Sequence, residues 1–510
     1  DRYNNLVLGF LATFAVSDNV LRAYSDRVAG NFWYQSRIPR LVKLTRPSCR
    51  TVPSSNHSPQ NWGMTFESWS TQRLYRPFIR SSAIIAVLLG FSTGAAILIM
   101  PLLGFERSLT WLTHSQSHGI IQIFGWAGLF VMGLAYHVGP RIFNTPIRYP
   151  VPQRLSMWLV ILGLLMRFTG QTLYTLPIAG IFLTAAGILL FIAMFVFAWT
   201  LYGVIRYSVS KSGPAEIWLV TGVIWSVLSG AIHLAIMFRM AILGEPIAHP
   251  SWNEALIYVA VFGFIASFIF GISVKGIRGF LLLKPTHQRM NRLSLVLLQT
   301  GLVMVVVGRF GELGQAVAPI GLVLTSVGAG MFPVALRLFE PASKSIYRIP
   351  VGYLRYHWYV RLGFSWLLLG CVMLILIALG EIGLINMIAI QVSLPVTHVL
   401  TLGFVTNLIF GAASRFIPIF EGADIRYPQL MNAAFILLTV SVVLRLAFGF
   451  SISEIGELAL GISGVTGFIG IILFSIMIFQ VMTPAARDAY TTRVAAIGKV
   501  KLEMNRGAYS

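Results

Sequence analysis

Apolar runs of about 18 or more residues recur along nearly the whole chain, and each is long enough, as a helix, to cross the hydrocarbon core of a bilayer. Backbone polar groups in hydrocarbon must be satisfied within their own segment, so such runs are helices. Beyond residue 80 they read as twelve spans: 81–103, 112–138, 155–175, 179–204, 216–238, 252–274, 291–310, 316–337, 361–382, 390–414, 430–450 and 458–481. The fold class that follows is all-α, a polytopic integral membrane protein of about twelve transmembrane helices. Composition agrees, with 56% of residues hydrophobic and 11% charged, where a soluble chain carries about 25% charged residues. Two cysteines, Cys49 and Cys371, exclude both a disulfide framework and a CxxCH site for covalent heme.

A net charge of +21 would suggest nucleic acid for a soluble chain. Here the basic residues sort by loop, which argues against a nucleic-acid partner. The leader from Met64, alternate loops and the tail carry 25 Lys and Arg, and the opposite loops carry only Arg107 and Arg239. Glu106, Glu245, Glu381, Glu454 and Glu457 lie on that opposite side. The positive-inside rule then places both termini in the cytoplasm, and a missed span would scramble the asymmetry. The first Met is Met64, and residues 1–63 hold eight basic residues and a polar Ser/Asn/Pro stretch. They are expected to be an upstream translation artefact; the alternative is a native basic arm. Residues 64–510 form one transmembrane domain with a short cytoplasmic tail from 483.

The domain contains an internal repeat. Gly125 to Gly133, Pro140 and Ile147-Arg148-Tyr149-Pro150 recur 278 residues later as Gly403 to Gly411, Pro418 and Ile425-Arg426-Tyr427-Pro428. Gly263 and Gly271 stand about midway. Four residues after the second glycine comes a basic residue in each case: His137, Lys275 and Arg415. The next helix in each unit carries one arginine inside the span: Arg167, Arg309 and Arg445. A Gly-x7-Gly spacing alone is ordinary helix packing, but the shared offset is not. The reading is three four-helix units, at about 78–210, 211–350 and 351–482. That differs from the two six-helix halves of a major-facilitator transporter.

Ionisable residues inside a membrane are functional candidates by default. His118 and His398 lie at similar depth in the outer halves of the second and tenth spans, and two neutral imidazoles can hold one six-coordinate heme iron. The bland alternative is a hydrogen bond to a neighbouring helix. Arg167 and Arg445 reach the same depth without an acidic neighbour in sequence, and heme propionates would pair with them; the alternative is snorkelling to the outer interface. Glu312 is the expected partner of Arg309. His114, His233 and His249 add imidazoles on the same side, where copper is conceivable but structural roles are the simpler reading. His57, His287 and His357 read as arm, loop and interfacial residues, and Trp366 as one membrane aromatic among many.

The segment from Ser117-His118-Gly119 to Gly125, Gly133 and Pro140-Arg141 resembles the second-helix signature of the NnrS family. The segment from Thr397-His398 through Gly403 and Gly411 to Arg415 is similar to that family's later histidine segment. The resemblance covers roughly residues 78–482, with its specific matches in these two helices. It implies a twelve-helix fold like the catalytic subunit of heme-copper oxidases, in a bacterial inner membrane. It also implies noncovalent heme b, copper, and a link to nitric oxide, denitrification or nitrosative stress. Two departures bear on copper: Ile120 stands where the family commonly has a second histidine, and Phe416-Ile417-Pro418 follows Arg415 in place of a TxGHTGR-type extension. An oxidase's copper-bearing centre is not expected either, because the sixth-helix positions equivalent to the two histidines are Leu256 and Tyr258. The expectation is a non-oxidase membrane heme protein, with a role in the nitric oxide response or in respiratory electron transfer. A carrier or channel for a small anionic solute, and a diverged oxidase-like subunit, are the alternatives.

Overall fold

The computed structural model describes residues 73–147, 151–208, 213–311, 314–341, 356–385, 395–451 and 453–492. The arm expected at 1–63, Arg148-Tyr149-Pro150 of the first repeat, Glu312 and the last tail residues lie outside them. The described residues form helices and turns with no strand. Twelve helices among them are long and apolar enough to cross a membrane. They are α1 (Tyr75–Leu103), α2 (Leu109–Ile142), α3 (Val151–Thr172), α4 (Ala179–Arg206), α5 (Pro214–Leu243) and α6 (Pro250–Phe280). The rest are α7 (Gln288–Phe310), α8 (Val317–Ala335), α9 (Tyr356–Glu381), α10 (Pro395–Glu421), α11 (Pro428–Phe448) and α12 (Glu454–Val481). Every span read from the sequence has its helix.

Helix ends follow local chemistry. Pro214 opens α5 at a position that needs no N–H donor, and the Glu216 carboxylate accepts from the Gly213 amide at 3.1 Å. Gly244 closes the same helix in the left-handed region, at φ +65°. Ser453 caps α12 by accepting from the Gly456 amide at 3.2 Å.

The helices form an inner set and a surrounding ring. In α2, α6 and α10 the apolar windows are 89%, 89% and 78% buried, against 28–56% elsewhere. Each inner helix packs against the one before it: α1 on α2, α5 on α6, α9 on α10. The hairpins α3–α4, α7–α8 and α11–α12 also pack extensively. Their second members then touch α5, α9 and α1 in turn, and the last of these contacts closes the ring.

Each inner helix contains an eight-residue π-helical segment: Ile121–Gly128, Val259–Ala266 and Val399–Thr406. These segments touch one another pairwise at the centre of the bundle. Trp126 in the first donates through Nε1 to the Thr406 hydroxyl in the last, at 3.1 Å. A π segment shifts the register of the side chains that follow and recurs at functional sites. Ile120, Tyr258 and His398 immediately precede the three segments, so one histidine sits at the step into a π segment.

Candidate buried histidine and arginine sites

His118 lies early in α2, facing α1. Its Nδ1 is 2.8 Å from the carbonyl oxygen of Gly90. A carbonyl only accepts, so Nδ1 carries the proton and Nε2 presents a lone pair. Gly90 belongs to a shorter π segment, Ala86–Phe91, where the regular ladder of α1 is interrupted. Gly94, one turn further, is required for the approach, because a Cβ there would overlap the His118 ring.

His398 stands at the step into the π segment of α10. Its Nε2 lies 2.9 Å from Nη1 of Arg445 on α11. A guanidinium only donates, so this Nε2 also presents a lone pair, here occupied by Arg445. Arg445 also lies near enough for its charge to act on the His118 ring. All three side chains are partly accessible although their helices are packed together. Nε of Arg445 has no hydrogen-bond partner.

Arg167 is placed elsewhere. It is 0% exposed, which excludes snorkelling to the headgroups. Its Nε donates to Gln171 Oε1 at 3.1 Å, and Nη1 lies 3.9 Å from the Met237 sulfur on α5. Its charge acts on His233, also on α5 and also 0% exposed. Gln171 Oε1 accepts from the Ser117 hydroxyl at 2.6 Å, and Gln116 bonds both the amide and the carbonyl of Ala248. These glutamines did not stand out in the sequence, although Gln171 follows Arg167 by one helical turn.

Arg309 has acidic partners from other helices: Glu381 on α9 at 2.6 Å and Glu254 on α6 at 3.2 Å. Glu254 also accepts from the Tyr258 hydroxyl at 2.9 Å. The expected partner Glu312 lies outside the described residues. The three repeat arginines thus meet three different environments, and one of them is fully ion-paired.

At the basic end, Lys275 pairs with Glu216 at 2.6 Å. Arg415 lies over the rings of Phe280 and Tyr356, at 5.6 and 5.7 Å. The His137 ring packs on Tyr75 and Phe420, at 4.6 and 4.3 Å. Each basic residue after a glycine pair is therefore held by local packing or pairing. His249 and His287 are exposed, and His357 is intermediate. His114 bonds back to the Thr110 carbonyl at 2.8 Å. Among the described residues no three His, Cys, Asp or Glu side chains gather to hold a metal ion, so His114, His233 and His249 do not form one group.

No protein-family model matches the sequence, and comparison with curated proteins gives no match.

Proposed function

We propose that this chain is a multi-pass, non-oxidase membrane heme protein whose heme lies among α1, α2, α10 and α11. The observation that carries the reading is the His118 tautomer: the Gly90 carbonyl holds Nδ1–H and leaves the Nε2 lone pair available, while Arg445, which contacts His398, is near enough to act on the same ring. Metal-ligating histidines are typically oriented in this way by a second hydrogen bond. His118 fits an axial role as it stands. His398 would be a second ligand only with its Nε2 released from Arg445, whose guanidinium would then be available to a heme propionate. A heme held there would supply one-electron redox chemistry or a site for a small gas such as nitric oxide. The chain's own residues orient the ligands and neutralise the propionates. Arg167, enclosed beside His233, is left to a separate role.

The finer reading includes insertion in a bacterial inner membrane, with three pseudo-repeated four-helix units. The recurring helix contacts and the three matched π segments support it. The similarity to the NnrS family rests on the two histidine segments alone, and a role in the nitric oxide response rests on that similarity.

An absorption spectrum tests the proposal. Protein purified from a heme-replete host is expected to show a Soret band with low-spin features. His118→Ala is expected to lose the low-spin signal, and His233→Ala to retain it. Absence of any Soret band would overturn the heme reading. It would favour a carrier for a small anionic solute, which Arg167 and Arg445 support, since neither is paired with a carboxylate among the described residues.

A further inference from the structure

The surroundings of Arg167 and His233 form a second polar enclosure, bounded by α3, α5 and the π segment of α2. Arg167 and His233 are both 0% exposed. Among the described residues no carboxylate acts on Arg167. Arg167 Nη2 and both ring nitrogens of His233 are buried without a hydrogen-bond partner. The other walls are the Phe124 ring, 6.2 Å from His233, and Met237.

A neutral buried donor can be satisfied by one water molecule. A buried guanidinium needs more, because an ion taken out of water without a counter-charge costs several kcal/mol even after relaxation. Gln171 satisfies only Nε, and the Met237 sulfur is a weak acceptor. A neutral imidazole offers one N–H and an imidazolium two, so His233 can donate beside the guanidinium in either state. The missing component is an anion small enough to lie between an arginine edge and a histidine ring.

We propose that Arg167 and His233, steadied by Gln171, bind a small inorganic monoanion inside the first helical unit. Gln171 contacts Gln116 and the Pro246 carbonyl at 3.4 Å, and Gln116 bonds Ala248. This polar track links the site to the α5–α6 loop. The assignment is independent of the heme reading, because none of its residues is a proposed iron ligand.

The test uses the purified full chain in detergent, exchanged into sodium gluconate. Chloride and, separately, nitrate replace gluconate at constant ionic strength, and Tm is followed by tryptophan fluorescence. A ligand that binds only the folded state raises Tm, and the rise grows with the logarithm of its concentration once that exceeds Kd. At least one of the two anions is expected to do so. In His233→Leu the concentration that gives the same rise should move up by roughly tenfold, the effect of losing one hydrogen bond to a charged group. In Arg167→Gln the response should vanish. If Arg167→Gln does not fold, His233→Leu decides alone. No rise with either anion over gluconate at equal ionic strength, or an unchanged concentration dependence in His233→Leu, overturns the proposal. Heme content distinguishes a free anion from a propionate: heme lost from Arg167→Gln, with no anion response in the wild type, would assign the arginine to heme instead.

Discussion

At His118 and His398 the tautomer follows from partners with only one possible role, a carbonyl that accepts and a guanidinium that donates. The same logic separates the three arginines that the repeat places at one depth. Arg309 has two carboxylates, Arg445 has imidazole and Arg167 has an amide. Repetition of sequence thus preserved the cation while its partners diverged. Glu421, at the basic end, shows how much one buried carboxylate can hold. Its side chain is 0% exposed and lies within ion-pair distance of Arg73, Arg76 and Arg487, and it accepts from the Tyr75 hydroxyl at 2.7 Å. Glu421→Gln keeps the shape and removes the charge from among three arginines. The expected loss is about 3 kcal/mol, the low end for breaking a buried ion pair, because the arginines keep 23–35% exposure. Thermal unfolding in detergent measures it, and a wild-type Tm would show that solvent already screens the cluster.

Among the elements, the α7–α8 hairpin makes the closest backbone approach that glycine permits. A Cβ on Gly321 would sit 2.7 Å from the Gly301 carbonyl oxygen, the Met304 Cβ and the Val305 amide nitrogen. Small residues let helices approach this closely, and dispersion then holds them. Gly321→Val should cost about 1–3 kcal/mol through forced separation. Gly203→Ala on α4, where a Cβ meets nothing within 4 Å, should leave Tm unchanged or slightly raised. Equal effects in the two variants would mean that the hairpin relaxes freely. The existence and order of all twelve helices were legible in the sequence, because span length and loop charge are local properties. Helix ends were less so. α1 begins at Tyr75 rather than near residue 81 because Tyr75 and Arg76 are fastened to Glu421 on a distant helix. The π segments were hidden, since their glycines read equally well as α-helical packing. His118, His398 and Arg445 were picked out by depth and repeat position, whereas the contacts of His118 with Gly90 and of His398 with Arg445 were not. The nearness of Arg167 to His233 depends on how α3 meets α5, and no local pattern encodes that.

For the whole molecule, orientation decides which compartment each site faces. His118 and His398 lie near the helix ends that adjoin the acidic loops, and the Glu421 cluster lies at the opposite, basic end. If the positive-inside rule governs, the histidines face outward and the basic end faces the cytoplasm. Four exposed positions report on this: Glu106 and Leu384 in loops at the acidic end, Asn144 and Tyr207 at the basic end. Each can be changed singly to cysteine after Cys49 and Cys371 are replaced. In sealed right-side-out membranes, a membrane-impermeant maleimide should label Glu106→Cys and Leu384→Cys at once. Asn144→Cys and Tyr207→Cys should react only after permeabilisation. The reverse pattern would invert the protein and turn both histidines toward the cytoplasm. Labelling at all four positions in sealed membranes would be incompatible with twelve spans, because Glu106 and Asn144 are separated only by α2. With α2 crossing once, the reactivities at its two ends must differ, and the sign of that difference says which compartment His118 lies nearer.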